Sequence, residues 1–545
     1  MRICRVYFLT ALLFACSAVF AVLSVGADGS GPGAYAADLW TNIDTVTTDQ
    51  GMVKGRADNH TTWSWKAVPY AKPPVGALRW QAPQDPEPYT GIRQGYEFCD
   101  RCPQTGSDNT TAAVTGSEDC LYLNIWRPRT ADTGLPVYLW IHGGSNRVGS
   151  ADPYLGALLS GRHNLVVVTI NYRLGPLGWL THPALRESQD TFAASGNYAL
   201  LDIIQALKWV KDNISAFGGD PNNVTVAGES AGGVNDLLLM ISPPGKDLFH
   251  RVISQSGGLS FNAPSAGDAY VDSLIKALLI QDNTPEASVA AVLDNMTHAQ
   301  IRTYLRAKTI EDIFQAADGL GTGPDLFTDG AVIPVSGADA FDDPETYHQV
   351  PVIIGTTAEE GKLFMYLFGM AEIFPAGLYQ LMGKQLTRLT RILDIDALAY
   401  KMSAHDSQPE VYSYIFAYGQ FRWFGDNAWP VDTGPAENIS WATALGACHG
   451  LDIPFNFGIF DTFSFLDVSE IIFREDNRAG WEALSETIMS YNAQFARTGN
   501  PNAEGLAEWT AWPKTRFDFG HRFMIFDADD DGDISHMARD VAPGL

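Results

Sequence analysis

Gly228-Glu229-Ser230-Ala231-Gly232 is the stretch on which the reading of this chain turns. An apolar, strand-like run, Val224 to Ala227, precedes it, and a helix-like run, Val234 to Ile241, follows it. A serine between two glycines at a strand-to-helix turn predicts a sharp elbow, because the turn is too tight for side chains on either side. The Ser230 hydroxyl then stands above a sheet, and the N-terminus of the next helix aims free N–H groups at it. A hydroxyl so placed is suited to acyl transfer. The pentapeptide is short and made of common residues, so its surroundings have to support it.

Outward from the elbow, Val137 to Ile141 and Leu165 to Ile170 read as buried strands. Their near-continuous apolar character fits a sheet covered on both faces. Leu200, Ile203, Leu207, Val210 and Ile214 recur at helical spacing, and Gly218-Gly219-Asp220-Pro221 ends that helix. Val352 to Ile354 reads as a further strand and Phe523 to Phe526 as the last one. Apolar, β-branched runs alternating with helical patterns predict an α/β fold: a large, mostly parallel central sheet with helices on both faces. Residues 262–325 and 370–430 read as helical, irregular insertions forming a cap or wall around a pocket. No repeat or low-complexity linker divides the chain, so residues 37–545 are expected to form one catalytic domain.

A nucleophilic serine needs a base, an orienting acid and an oxyanion hole. On this fold the acid and then the histidine follow the serine in the chain. The histidines well beyond Ser230 include His298, His348, His405, His449, His521 and His536. His449 stands out, because Gly446-Ala447-Cys448-His449-Gly450 is a small-residue loop just before the apolar Ile453-Pro454-Phe455. The acid is sought in Ile354-Gly355-Thr356-Thr357-Ala358-Glu359-Glu360-Gly361, which leaves the C-terminal end of a strand. Two carboxylates compete there and one of them can simply be solvated; Glu360, beside Gly361, is the choice. His142-Gly143-Gly144-Ser145 follows the strand Val137 to Ile141. The N–H groups of Gly144 and Ser145, with that of Ala231, are the expected oxyanion donors.

Composition narrows the class. The chain has 545 residues, 46% hydrophobic and 18% charged, with a formal net charge of −27. Such an acidic chain would be repelled by a phosphate backbone, which argues against a nucleic-acid partner. Arg2 and Arg5 precede an almost wholly apolar run, Val6 to Val25, followed by small-residue cleavage patterns. Residues 1–27 therefore read as a signal peptide, with cleavage as late as residue 36, and the protein as secreted. A signal anchor is the alternative; no later stretch is long and uncharged enough to span a membrane. Outside that leader lie Cys99, Cys102, Cys120 and Cys448, which allow three full pairings that spacing alone does not resolve. Cys448 reads as a buried thiol and not as a nucleophile. Sequons occur at Asn59, Asn109, Asn213, Asn223, Asn295 and Asn438, of which Asn213 and Asn223 read as structural. The acidic run Asp527 to Ser535 has the start of a calcium-binding loop but carries Ala538 where a bidentate glutamate belongs. It reads as a solvated turn, and neither a metal nor an organic cofactor is expected.

The chain resembles the type-B carboxylesterase and cholinesterase-like family of α/β hydrolases from about residue 40 to its C-terminus. Pro69-Tyr70-Ala71-Lys72-Pro73-Pro74-Val75-Gly76, Leu78-Arg79-Trp80 and Glu118-Asp119-Cys120-Leu121-Tyr122-Leu123-Asn124 carry the likeness. So do Asn171-Tyr172-Arg173, Gly196-Asn197-Tyr198, Leu201-Asp202, Phe217-Gly218-Gly219-Asp220-Pro221 and Gln255-Ser256-Gly257, all in order. The resemblance implies a serine ester hydrolase acting on small-molecule esters through Ser230, Glu360 and His449. It also implies Gly144, Ser145 and Ala231 as the oxyanion hole, a Cys102–Cys120 disulfide, and ion pairs Arg79–Glu118 and Arg173–Asp202. Two departures stand out: Ser145 replaces a glycine or alanine, and Asn146 an aromatic residue, which makes the pocket more polar. The loop Pro103 to Asp119 has no tryptophan, so a quaternary ammonium would lack its aromatic face. A lipase or specialised esterase of the same fold is an alternative. A non-catalytic adhesion protein of that fold is another, against which all three catalytic residues are retained.

Overall fold

Val137, Leu139 and Ile141 enter one apolar core, while Tyr138 and Trp140 enter another. Successive side chains of a strand point to opposite faces, so this strand is covered on both. The computed structural model describes residues 44–59, 61–106, 113–187, 190–420, 434–435, 439–460, 469–514, 523–528 and 538–539. The expected leader, Asn109, Asn438, His521, His536 and residues 529–535 of the acidic run lie outside the described residues.

Among the described residues the main sheet has eleven strands. In chain order they are β1 (Arg56–Asp58), β2 (Thr62–Pro69), β3 (Tyr122–Pro128), β4 (Leu135–Ile141), β5 (Val166–Ile170) and β6 (Gly219–Glu229). They continue with β7 (Arg251–Gln255), β8 (Val352–Thr357), β9 (Val411–Phe416), β10 (Phe523–Phe526) and β11 (Ala538–Arg539). Their spatial order is β11-β10-β9-β8-β7-β6-β4-β5-β3-β2-β1. Strands β4 to β10 run parallel to one another, and antiparallel pairs close both edges. The reversal of strand order between β6, β4 and β5 opens a crevice at the C-terminal ends of these strands.

Helices α1 (Tyr198–Asn213) and α2 (Ala231–Ile241) cover one face through Leu200, Ile203, Leu207, Leu237 and Leu238. Leu484, Ile488, Tyr491 and Phe495 of the long helix Arg478–Thr498 cover the other. Helices α3 (Pro264–Gln281), α4 (Glu286–Asp294), α5 (His298–Arg306) and α6 (Ile310–Asp318) build a third core around Trp80, Leu177 and Leu180. That is the expected helical insertion at 262–325. The second insertion differs from its reading. Residues 370–430 contain α7 (Ala376–Thr390) but also β9, a fully buried strand of the sheet. Nor is Phe523–Phe526 the last strand, since β11 pairs with it antiparallel. Val411-Tyr412-Ser413-Tyr414-Ile415-Phe416 is short and partly polar; two flanking strands bury it, a fact of neighbours that no local pattern carries.

Polar groups brace this frame. Arg79 forms two hydrogen bonds of 2.6 Å with Glu118, and Arg173 two of 2.7 Å with Asp202. Breaking a buried pair of this kind typically costs about 3–5 kcal/mol, because it strands one charge. Cys102 and Cys120 are joined in a disulfide, while Cys99 is half-buried and Cys448 buried, both as thiols. Asn213 is buried and accepts the Asp49 N–H at 2.9 Å, a structural use of that sequon. Asp236 on α2 is an exception to good pairing. It is fully buried, and among the described residues neither carboxyl oxygen receives a hydrogen bond. Burial holds its carboxyl well above the usual range.

Candidate active site

Ser230 caps the C-terminal end of β6 with φ 57° and ψ −123°, a left-handed conformation that a serine adopts only under constraint. The constraint is packing. The Ser230 N–H donates to the Gln255 carbonyl at 2.9 Å, and a Cβ at Gly232 would collide with the Ile141 carbonyl at the end of β4. Helix α2 starts at Ala231, earlier than the apolar run Val234 to Ile241 indicates. Gly232 and Gly233 lie in its first turn because a Cβ at either would meet the backbone of β4 or β7.

The loop after β4 faces this elbow. Ser145 and Asn146 both have positive φ, 55° and 57°. Among the described residues no protein acceptor takes the N–H of Gly144, Ser145 or Ala231. Asn146 is braced by Asn235, whose Nδ2 donates to its Oδ1 at 2.9 Å. His142, at the head of the loop, stacks on Tyr172 with ring centres 4.4 Å apart. Burial pushes the His142 imidazole down to about 4.

Glu360 follows β8 and is buried. Its Oε2 accepts four hydrogen bonds: from the Thr357 hydroxyl at 2.7 Å, the Thr356 hydroxyl at 2.9 Å, the Thr357 N–H at 3.0 Å and the Ser256 hydroxyl at 3.1 Å. Its Oε1 faces Nδ1 of His449 in a short hydrogen bond. Burial alone would raise the Glu360 carboxyl, but the His449 imidazole and the donors from Thr357 outweigh it and hold it at about 2. The other ring nitrogen, Nε2, lies 3.2 Å from Oε1 of Glu229, the residue immediately before Ser230. The imidazole thus reaches from the acid loop to the elbow. Glu360 and His449 are brought together directly, and His449 meets the Ser230 turn through Glu229.

Two further carboxyls lie beneath the imidazole. Burial pushes Glu229 up to about 8; Asp452 and Glu360 add to this, and His449 opposes it. Burial also raises Asp452 to about 6, against the Tyr414 hydroxyl, which donates to its Oδ2 at 2.8 Å. Cys448 is buried next to His449, and burial pushes its thiol upward, which disfavours the thiolate a nucleophile needs. Glu359 is buried rather than solvated. Glu229, Asp452, Tyr414, Thr356, Thr357 and Ser256 were not assigned roles from the sequence. Several stand inside quoted motifs, but nothing in the spacing says what they touch. Among the described residues no group of three or more His, Cys, Asp or Glu side chains could hold a metal ion.

An elbow serine, a buried acid–imidazole pair and unpaired amides at one sheet edge form a set suited to acyl transfer. Residues 42–392 and 376–519 match the carboxylesterase family. The chain belongs to that family. Para-nitrobenzyl esterase of Bacillus subtilis is 34% identical over 483 residues, covering 86% of this chain and 92% of that protein. Fumonisin B1 esterase of Sphingopyxis macrogoltabida is 38% identical over 326 residues, covering 58% of this chain and 56% of that protein. Among solved structures, a PNB esterase superposes with a TM-score of 0.69 at 30% identity, covering 90% of this chain and 97% of that one. A carboxylesterase from Geobacillus stearothermophilus gives 0.70 at 26% identity, covering 89% and 96%. This carboxylesterase therefore has the α/β-hydrolase fold and hydrolyses carboxylic esters.

Proposed function

We propose that the carboxylesterase acts through an acyl-enzyme on Ser230. His449 takes the Ser230 proton at Nε2 as the hydroxyl attacks the ester carbonyl. The N–H groups of Gly144, Ser145 and Ala231 receive the developing oxyanion; losing one such donor typically costs ~3 kcal/mol of transition-state stabilisation. The imidazolium then protonates the departing alcohol. Water, activated by the same imidazole, releases the acid. Glu360 accepts from Nδ1, so the proton stays there in the resting state and Nε2 is the basic nitrogen; its charge then stabilises the imidazolium. The observation that carries the reading is the imidazole of His449 extending from Glu360 to the residue preceding Ser230.

The substrates are small esters, with p-nitrobenzyl esters candidates by similarity to the Bacillus subtilis relative. The polar replacements Ser145 and Asn146 favour acyl groups that carry polar substituents. The mature enzyme is secreted, the leader ending at residue 27 or as late as 36, and the remainder working as one catalytic domain. N-terminal sequencing of protein recovered from culture medium tests this; a cell-retained chain with an intact N-terminus overturns it. For the chemistry, wild type and Ser230→Ala are compared on p-nitrophenyl acetate and a p-nitrobenzyl ester. The variant is expected to lose about 10³-fold or more in kcat while keeping its near-UV circular dichroism. A folded Ser230→Ala that retains turnover overturns the reading.

A further inference from the structure

Next to Glu360 lies a charged pair that the mechanism leaves unused. Glu359 and Lys362 are 1% and 0% exposed, with Nζ 2.6 Å from the Glu359 carboxylate. Both reach across to the loop that carries His449. The Glu359 N–H donates to the Ala447 carbonyl at 2.9 Å, and the Ala447 N–H donates back to Oε2 of Glu359 at 3.1 Å. Lys362 Nζ donates to the Ala442 carbonyl at 3.4 Å. From α7, the Tyr379 hydroxyl donates to the Ala444 carbonyl at 2.8 Å. The segment from Ala442 to Ala447 is therefore pinned to Lys362 and Glu359 at its two ends and to Tyr379 between them, and His449 is two residues beyond the last of these points. Gly446 shows how close the fit is. Its φ is +56°, and a Cβ there would collide with the Glu359 carboxylate.

An ion pair is an expensive way to fill such a space. Desolvating two charges is costly, and apolar replacements of similar volume are often neutral or stabilising. A pair kept in spite of that cost, and bonded to the histidine loop at both members, fits a geometric role better than a stabilising one. We propose that Glu359 and Lys362 are positioning residues, which set the height and rotation of the His449 imidazole between Glu360 and the elbow. The proposal rests on the reading of Ser230, Glu360 and His449 given above. The pair carries no net charge, so deleting both members alters geometry at His449 far more than it alters the local field.

The test is the double variant Glu359→Gln/Lys362→Met, which removes both charges and strands neither. On p-nitrophenyl acetate, kcat is expected to fall about 10-fold or more with KM within about twofold of wild type, as a displaced general base predicts. Glu359→Asp keeps the charge on a shorter arm and is expected to give an intermediate kcat. A folded double variant with wild-type kcat and only a lower melting temperature overturns the proposal. Should the double variant not fold, wild-type kcat in folded Glu359→Asp overturns it equally. Ser230→Ala, run in parallel, separates the two levels. If it stays active, the parent mechanism fails; if it is inactive while the pair variants are unimpaired, only the positioning role fails.

Discussion

Glu360 and Glu229 face the two nitrogens of one imidazole from opposite electrostatic settings. Both are buried. Glu360 receives three hydroxyls and one N–H on a single oxygen and is held at about 2. Glu229 has no such set of donors, and burial carries it up to about 8. Both carboxyls are deep, so depth does not separate them: the His449 imidazole first, and then the donors from Thr357, hold Glu360 down. The asymmetry gives the ring its direction. A charged acceptor at Nδ1 holds the proton there, while burial at Nε2 favours the protonated form of Glu229 and weakens its pull on the ring.

The harshest way to break this asymmetry is Glu360→Gln, which keeps the size and removes the charge. Turnover of a short p-nitrophenyl ester should fall about 10³–10⁴-fold, since the imidazole loses its oriented tautomer and the partner of its cation. A loss under tenfold would mean that another group orients His449.

Asp236 extends the comparison to a carboxyl without donors. Its folded value is raised well above the ordinary 3.8. The unfolded chain therefore ionises as the pH climbs past that value while the native chain stays protonated, and stability declines with rising pH. Asp236→Asn should remove this decline. The variant is expected to be more stable than wild type by about 2 kcal/mol at neutral pH, the gap closing near pH 4. Urea unfolding at the two pH values measures it, and equal midpoints throughout would show that Asp236 has found a partner.

The mildest change, Thr357→Val, takes one hydroxyl from Glu360 and leaves the N–H. The sign here is opposite. Glu360 is depressed from 4.5 to about 2, so its contribution is present above pH 4.5 and is lost as the pH falls towards 2. The variant should lose about 1 kcal/mol at neutral pH and nothing at the acid end. A constant difference across the range would assign the effect to packing instead.

What the sequence discloses about this enzyme follows the range of the forces involved. The elbow, the glycine loop after Ile141 and the helix at Leu200 to Val210 are written in turn chemistry and periodicity, which act over a few residues. The contacts that set charge are not. Ser256 meets Glu360 across 104 positions of chain, and Tyr414 meets Asp452 across 38. Glu359 and Glu360 are neighbours of the same chemical type, yet one points at an imidazole and the other at a lysine; only the fold distinguishes them. Strand β9 was missed for the same reason, because its burial is supplied by β8 and β10.

The ring stacked on Tyr172 bears on how the enzyme's acid response is to be interpreted. His142 remains uncharged until conditions are far more acidic than those in which an ordinary histidine titrates. The glycine loop after β4 thus keeps the same electrical character throughout the neutral range. A fall in turnover on mild acidification accordingly reports on groups other than His142.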